Sequence, residues 1–272
     1  MPEQNTSAPA ARPLVLLSND DGVTSRGLLV LGEALAAWAD VVIVAPETEQ
    51  SATSHSLTLN RPLRARRVED GVFAIDGSPA DCVYIALHSE TKFLPRWPDL
   101  VVSGINRGLN LGQDAFYSGT VAAAREGALR GIPAIAASAH SKADQKRVAG
   151  LTSTLAQRLF HETRATHSTR PPPKLVRGTP LLNLNVPLEW TGEVRHVKLG
   201  SRLYDETLDV RLDPRGREYI WLGGPGVQHE SDPGSDTDAY DAGAASVTML
   251  LLDLTRADEG GLVDRLITSL PG

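Results

Sequence analysis

The chain has 272 residues, 41% of them hydrophobic and 22% charged, and carries a net charge of −6. That length can bury a full core, as one large α/β domain or as a domain with an appendage. The excess of acid leaves no global basic surface for a nucleic-acid duplex. A lone cysteine, Cys82, excludes an intramolecular disulfide and fits a reducing compartment; the longest apolar region, 28–45, is broken by Glu33 and Asp40 and predicts no membrane span. A soluble cytoplasmic protein is expected.

Residues 1–12 have no continuous apolar run and read as a disordered tail rather than a secretory signal. Leu14–Leu17 is a short apolar strand that empties into Ser18, Asn19, Asp20, Asp21 and Gly22. Adjacent carboxylates at the mouth of a sheet repel each other and lose hydration, which a bound cation offsets. Taken alone, Asp-Asp-Gly also describes a solvated turn. A helical stripe at 28, 31, 35 and 38 follows, with Ser25 as a plausible cap, and 41–45 is a second strand stopped by Pro46. Strand, helix, strand over that span predicts a parallel βαβ unit.

The stretch 46–60 is polar, rich in Ser and Thr, and leaves the end of a parallel strand, where open α/β sheets place ligands. Residues 63–68 and 72–75 predict a hairpin, and Ser78-Pro79 opens a helix that runs through Leu87 and contains Cys82 as a buried, inert thiol. Asp99–Ser103 is another buried strand, followed by a loop bearing Asn106, Arg107, Asn110 and Gln113. Its glycines at 104, 108 and 112 match neither a dinucleotide fingerprint nor a P-loop. Ser118-Gly119-Thr120 then starts a helix through Leu129, and free N–H groups at a helix start favour phosphate. Further on come a strand at 132–138, a helix at 141–164, a proline-rich linker at 166–174 and a strand at 181–186. Runs at 194–199 and 219–222 around a turn at 213–216 suggest extended β-arms, and a strand at 246–252 and a helix at 260–270 close the chain.

The elements read in order predict an α/β protein: a mostly parallel sheet with flanking helices, followed by extended β-arms and a last strand and helix over 246–272. Asp20, Asp21, Ser51 and Asn106 each follow a predicted parallel strand and meet on one rim. All offer oxygen, a set suited to Mg²⁺ or Mn²⁺ rather than Zn²⁺ or copper. With Asn110 and the helix start at 118–120, the rim has the parts for metal-assisted hydrolysis of a phosphoester.

Five ordered blocks carry a resemblance. Ser-Asn-Asp-Asp-Gly (18–22), Val-Ala-Pro-Glu-Thr-Glu-Gln-Ser (44–51), Asp-Gly-Ser-Pro-Ala-Asp-Cys-Val (76–83), Pro-Asp-Leu-Val-Val-Ser-Gly-Ile-Asn-Arg-Gly-Leu-Asn-Leu-Gly (98–112) and Tyr-Ser-Gly-Thr-Val-Ala-Ala-Ala-Arg-Glu (117–126) resemble the SurE family of metal-dependent 5′/3′-nucleotidases. The resemblance covers 14–138, with weaker agreement to 252. It implies that Asp20, Asp21, Ser51 and Asn106 hold one divalent cation, and that Asn110, Ser118, Gly119 and Thr120 face a phosphate. It implies a nucleoside monophosphate as substrate and a Rossmann-like, mostly parallel core over 13–190. It also implies C-terminal protruding β-arms in an oligomerisation region over 191–245, exchanged between subunits in a homodimer or homotetramer, and a strand and helix over 246–272 that return to the core. Ser78 stands where the family usually has Thr, and Met249 replaces a usual Pro.

The expected reaction yields alcohol and phosphate, with Asp20 or Asp21 accepting the proton of the attacking water. An aspartyl-phosphate is disfavoured because position 22, two beyond Asp20, is Gly rather than a second Asp. His55 reads as a surface residue before a proton donor to the leaving oxygen, and Arg107 as a phosphate contact or a solvated side chain. The alternatives are a receiver-like module or a nucleotide-binding regulator without turnover.

Overall fold

The structure, a computed structural model, describes residues 12–163, 178–204, 208–222, 227–255 and 261–268. Strand β1 (Leu14–Ser18) is buried along its whole length because helices cover both faces of its sheet. Val15 and Leu17 pack with Leu28, Leu31 and Leu35 of α1 (Arg26–Ala36) and Val148, Ala156 and Phe160 of α5 (Gln145–Thr163). Leu14 and Leu16 point the other way, towards Cys82, Val83 and Ala86 of α2 (Pro79–His88) and Val121, Ala124 and Ala128 of α4 (Gly119–Leu129). The alternation is the two-residue period of a strand, and apolar residues at both phases mark a sheet with no solvent face.

The sheet has nine strands in the order β3-β4-β2-β1-β5-β6-β7-β13-β8. These are β3 (Ala65–Glu69), β4 (Val72–Ile75), β2 (Asp40–Pro46), β1, β5 (Leu100–Arg107), β6 (Ala134–Ala139), β7 (Leu181–Val186), β13 (Ala245–Met249) and β8 (Val194–His196). From β4 to β7 all neighbours are parallel; β3 and β13 pair antiparallel at the two sides. The chain builds outward from β1 through β2 to β4, then crosses back to β5 on the other side of β1. That reversal is a topological switch point, where the two following connections part and leave a crevice.

The observed elements refine the expected ones. Strand β5 continues to Arg107, with an irregularity in its register against β6 between Ser103 and Asn106, so Asn106 and Arg107 end a strand instead of starting a loop. A short helix, α3 (Asp114–Tyr117), occupies part of the predicted loop before Ser118. Helix α5 starts at Gln145, later than the apolar pattern suggested. The run at 194 joins the main sheet beside β13 and is no part of an arm. The extra strands are β9 (Arg202–Tyr204) paired with β12 (Val227–His229), and the hairpin of β10 (Leu208–Leu212) and β11 (Glu218–Leu222). That hairpin turns at 213–216, where Asp213 Oδ1 accepts from the N–H groups of Arg215 (2.8 Å) and Arg217 (2.9 Å). Met249 ends β13, pairs with Leu182 and is exposed. The expected tail, apart from Arg12, and the expected linker at 166–174 lie outside the described residues. Helices α6 (Asp236–Asp241) and α7 (Leu262–Thr268) complete the order, and no helix among the described residues is long and apolar enough to cross a membrane.

Candidate functional site

At the C-terminal end of β1 the backbone turns through Asn19–Gly22. Asn19 Nδ2 holds the turn by donating to Gly22 O (3.0 Å) and to Ser25 Oγ (2.7 Å). Ser25 thus serves the turn, and its side chain makes no cap bond to α1 as the sequence had suggested. Gly22 has φ +98°, a conformation only glycine adopts without strain.

Three elements converge on the acidic pair. Thr120 Oγ1 of α4 donates to Asp20 Oδ1, across a separation of 100 residues. Gln50 N donates to Asp20 O at 2.8 Å, which ties in the loop that carries Ser51. Arg107 N, at the end of β5, donates to Asp21 Oδ2 at 3.2 Å. Asp20 is only 6% exposed, and Asp21 is half-buried. Burial pushes the Asp20 carboxyl from 3.8 up to about 6 against the Thr120 hydrogen bond, and the neighbouring Asp21 charge adds to the rise. Burial also raises Asp21, opposed by the Arg107 N–H and reinforced by Glu49.

Helix α4 begins against this pair. Ser118 Oγ caps it by accepting from Val121 N at 3.1 Å. Gly119 is the closest approach: a Cβ there would lie 2.8 Å from Asp20 Cβ and 3.1 Å from Asp20 Oδ2. The small residue lets the N–H end of the helix touch the carboxylate. Asn110 is buried against β6 and β7, with Nδ2 donating to Ser138 Oγ (2.8 Å), its N–H to Asn185 Oδ1 (2.7 Å), and its carbonyl accepting from Asn183 Nδ2 (2.8 Å). An amide nitrogen has two hydrogens, so one remains for an anion.

The donor set suits a hard cation. Asp20 commits one carboxylate oxygen to Thr120 and Asp21 one to Arg107 N. Asn106 commits its Nδ2 to Gly108 O (2.9 Å), and Ser51 its hydroxyl hydrogen to Glu49 Oε1 (2.6 Å). Each side chain keeps an oxygen with lone pairs after those bonds. Among the described residues no three His, Cys, Asp or Glu side chains group around a possible metal position, so a cation here would have two carboxylates and neutral oxygens as its donors.

Other expected residues take different places. His55 Nε2 lies 2.9 Å from the buried Glu126 Oε2, and Arg107, exposed, contributes its backbone N–H to Asp21. Ser78 forms a full capping box with Asp81, so serine satisfies the role of the threonine usual in the resembling family. Cys82 is buried, and burial raises its thiol well above its ordinary value, which makes it inert. Two residues were not singled out by sequence reasoning. Asp236, fully buried, accepts from Gly112 N (2.8 Å) and Gly200 N (2.7 Å) and so joins the loop after β5 to the base of the extra strands. Asp114 receives both Arg202 Nη1 and Tyr204 Oη (2.5 Å) of β9. Neither belongs to a motif with a spacing of its own, and only the fold brings their partners near.

Fold and site together define a doubly wound α/β protein with an oxygen-rich acidic pair and a phosphate-ready helix start at its switch point. The family model described as "Survival protein SurE" matches residues 15–206. The chain is 55% identical over 259 residues to a 5′-nucleotidase SurE of Sorangium cellulosum (strain So ce56), covering 95% of this chain and 97% of that one. It is 41% identical to a 5′-nucleotidase SurE of Deinococcus radiodurans, over 99% and 97% of the two chains. The crystal structure of the SurE protein from Aquifex aeolicus superposes with a TM-score of 0.74 at 33% identity, over 94% and 99%. The chain belongs to the SurE family.

Proposed function

We propose that this protein is a divalent-metal-dependent phosphomonoesterase that converts nucleoside 5′-monophosphates, and 3′-monophosphates, to nucleoside and phosphate. The observation that carries the reading is the buried Asp20 of the acidic pair in direct contact with the start of α4, through Thr120 and Gly119. The name 5′-nucleotidase SurE borne by relatives that match nearly the whole chain supports the substrate class.

Asp20, Asp21, Ser51 and Asn106 would hold one Mg²⁺ or Mn²⁺. When bound, the ion supplies positive charge to a phosphoryl oxygen and lowers the pKa of a water. The N–H groups of Gly119 and Thr120, with the hydroxyl of Ser118 and the amide of Asn110, donate to the remaining phosphoryl oxygens. Asp20 or Asp21 accepts the proton of the attacking water. The sheet and α4 fix these groups before substrate arrives, so little reorganisation is required in the transition state.

We place the protein in the cytoplasm as a homodimer or homotetramer assembled through the extra strands. The exposed apolar side chains of Leu208, Val210, Leu212, Ile220 and Trp221 support that assembly, since a solitary hairpin gains little from exposing them. Phosphate release from a panel of nucleoside monophosphates, with Mn²⁺ or Mg²⁺ and then with chelator, tests the activity. Turnover that survives chelation, or full activity in the double variant Asp20→Asn/Asp21→Asn, would overturn it.

A further inference from the structure

The loop that bears Ser51 is held in an unfavourable shape. Ala52 (φ +55°) and Ser54 (φ +52°) both sit in the left-handed region although neither is glycine. Such a conformation persists only where neighbours over-determine it. Several bonds do so: Ser54 N donates to Tyr117 O (3.0 Å), Ser54 Oγ to Phe116 O (2.7 Å), Ser78 Oγ to Ser56 O (2.6 Å), and Thr58 N to Asp81 Oδ1 (2.9 Å).

One further bond differs from these in kind. His55 reaches Glu126, which is 2% exposed and lies on α4 seven residues beyond Gly119. Seven residues are two helical turns, so Glu126 shares the face of α4 that Gly119 presents, about 10 Å behind it. The Glu126 carboxylate is compensated by Arg130, whose Nε (3.0 Å) and Nη2 (2.9 Å) both donate to Oε1. Oε2 is left to accept from His55 Nε2, which therefore carries the hydrogen. A carboxylate this buried is costly unless all its partners are present, so the contact resists displacement of the loop.

We propose that Glu126, held by Arg130 and gripping His55, is the brace that fixes the Ser51 loop against the phosphate-side helix, so that His55 and Glu126 are positioning residues for the cation. The proposal rests on the metal-site reading above. It makes α4 serve both halves of the site: its first turn faces the phosphate, and its second and third turns set where Ser51 stands. Releasing His55 lets the Ser51 loop relax out of its left-handed turns and withdraws one cation ligand, while Asp20 and Asp21 remain in place in the turn after β1.

The test is Mn²⁺ titration of the substrate-free protein, followed by the electron paramagnetic resonance of unbound Mn²⁺, for wild type, His55→Ala and His55→Gln. Glutamine can still donate from Nε2 to Glu126. His55→Ala is expected to bind Mn²⁺ about 10-fold more weakly, as loss of a group that orients a ligand does, and His55→Gln is expected to recover most of the affinity. Equal Mn²⁺ affinity in His55→Ala and wild type, even with a lower melting temperature, would overturn the brace and leave the metal site standing. Failure of the wild type itself to take up Mn²⁺ would overturn the metal site and the brace with it. Should His55→Ala not fold, His55→Leu, which fills the space without a donor, is judged by the same criterion.

Discussion

Replacing Asp20 by Asn should make the metal-free protein more stable and the metal-loaded protein unattainable. In the metal-free state burial holds the Asp20 carboxyl at about 6 instead of 3.8. A raised carboxyl contributes stability that is fully present below 3.8 and lost as the pH climbs through about 6. The displacement corresponds to about 3 kcal/mol at pH 7.5, at about 1.36 kcal/mol per pH unit. Asparagine keeps an Oδ1 for Thr120 and removes the charge, so it should recover about 1–3 kcal/mol, a rise in Tm of about 2–12 °C for a chain of this size. The gap should close as both proteins are taken well below 3.8, where Asp20 is neutral folded and unfolded alike. Adding Mn²⁺ at about 100 times its Kd should stabilise wild type by about 2.7 kcal/mol and leave Asp20→Asn unmoved. Thermal melts in chelator and in Mn²⁺, from below 3.8 up to about pH 8, measure all of this. An Asp20→Asn protein that melts below wild type in chelator at pH 7.5, or a gap that does not vary with pH, would refute desolvation as the source of the strain.

Two other changes probe the neighbouring geometry. Gly119→Ala puts a methyl 2.8 Å from Asp20 Cβ and 3.1 Å from Pro79 Cγ; this overpacking should cost about 1–3 kcal/mol, with phosphatase activity falling more steeply than stability, as melting curves beside initial rates would show. Asp236→Ala strands the buried N–H of Gly112 and the half-buried N–H of Gly200; at about 1–3 kcal/mol for the buried one, the urea midpoint should fall clearly, and an unchanged midpoint would show that those groups find other partners.

Much of the architecture is readable from local pattern. The continuous apolar runs at 14–17 and 100–102 are what a sheet buried on both faces requires, and Ser78-Pro79 and Ser118-Gly119 start helices with the residues that helix starts favour. The Asp20-Asp21-Gly22 turn at a strand end is equally visible, because the apolar run stops where the charges begin. The extent of β5 is not: Gly104 and Gly108 look like loop residues, yet pairing with β6 alone carries the strand past Ser103 to Arg107. Nor is the placement of residues 194–196, whose short run becomes a strand only because β13 offers an edge to pair with.

What the sequence determined by itself is the set of elements and the chemistry available at their ends, since periodicity, capping and turn preference act over a few residues. What only the tertiary structure decided is which ends meet. Asp20 is an ordinary turn carboxylate until strand order sets Thr120 and Gly119 against it and takes away its water. His55 is an ordinary loop histidine until Glu126 is buried beside it. Desolvation and partnership depend on atoms far apart in the chain, so the packed sheet and α4 turn an acidic bend into a candidate cation site.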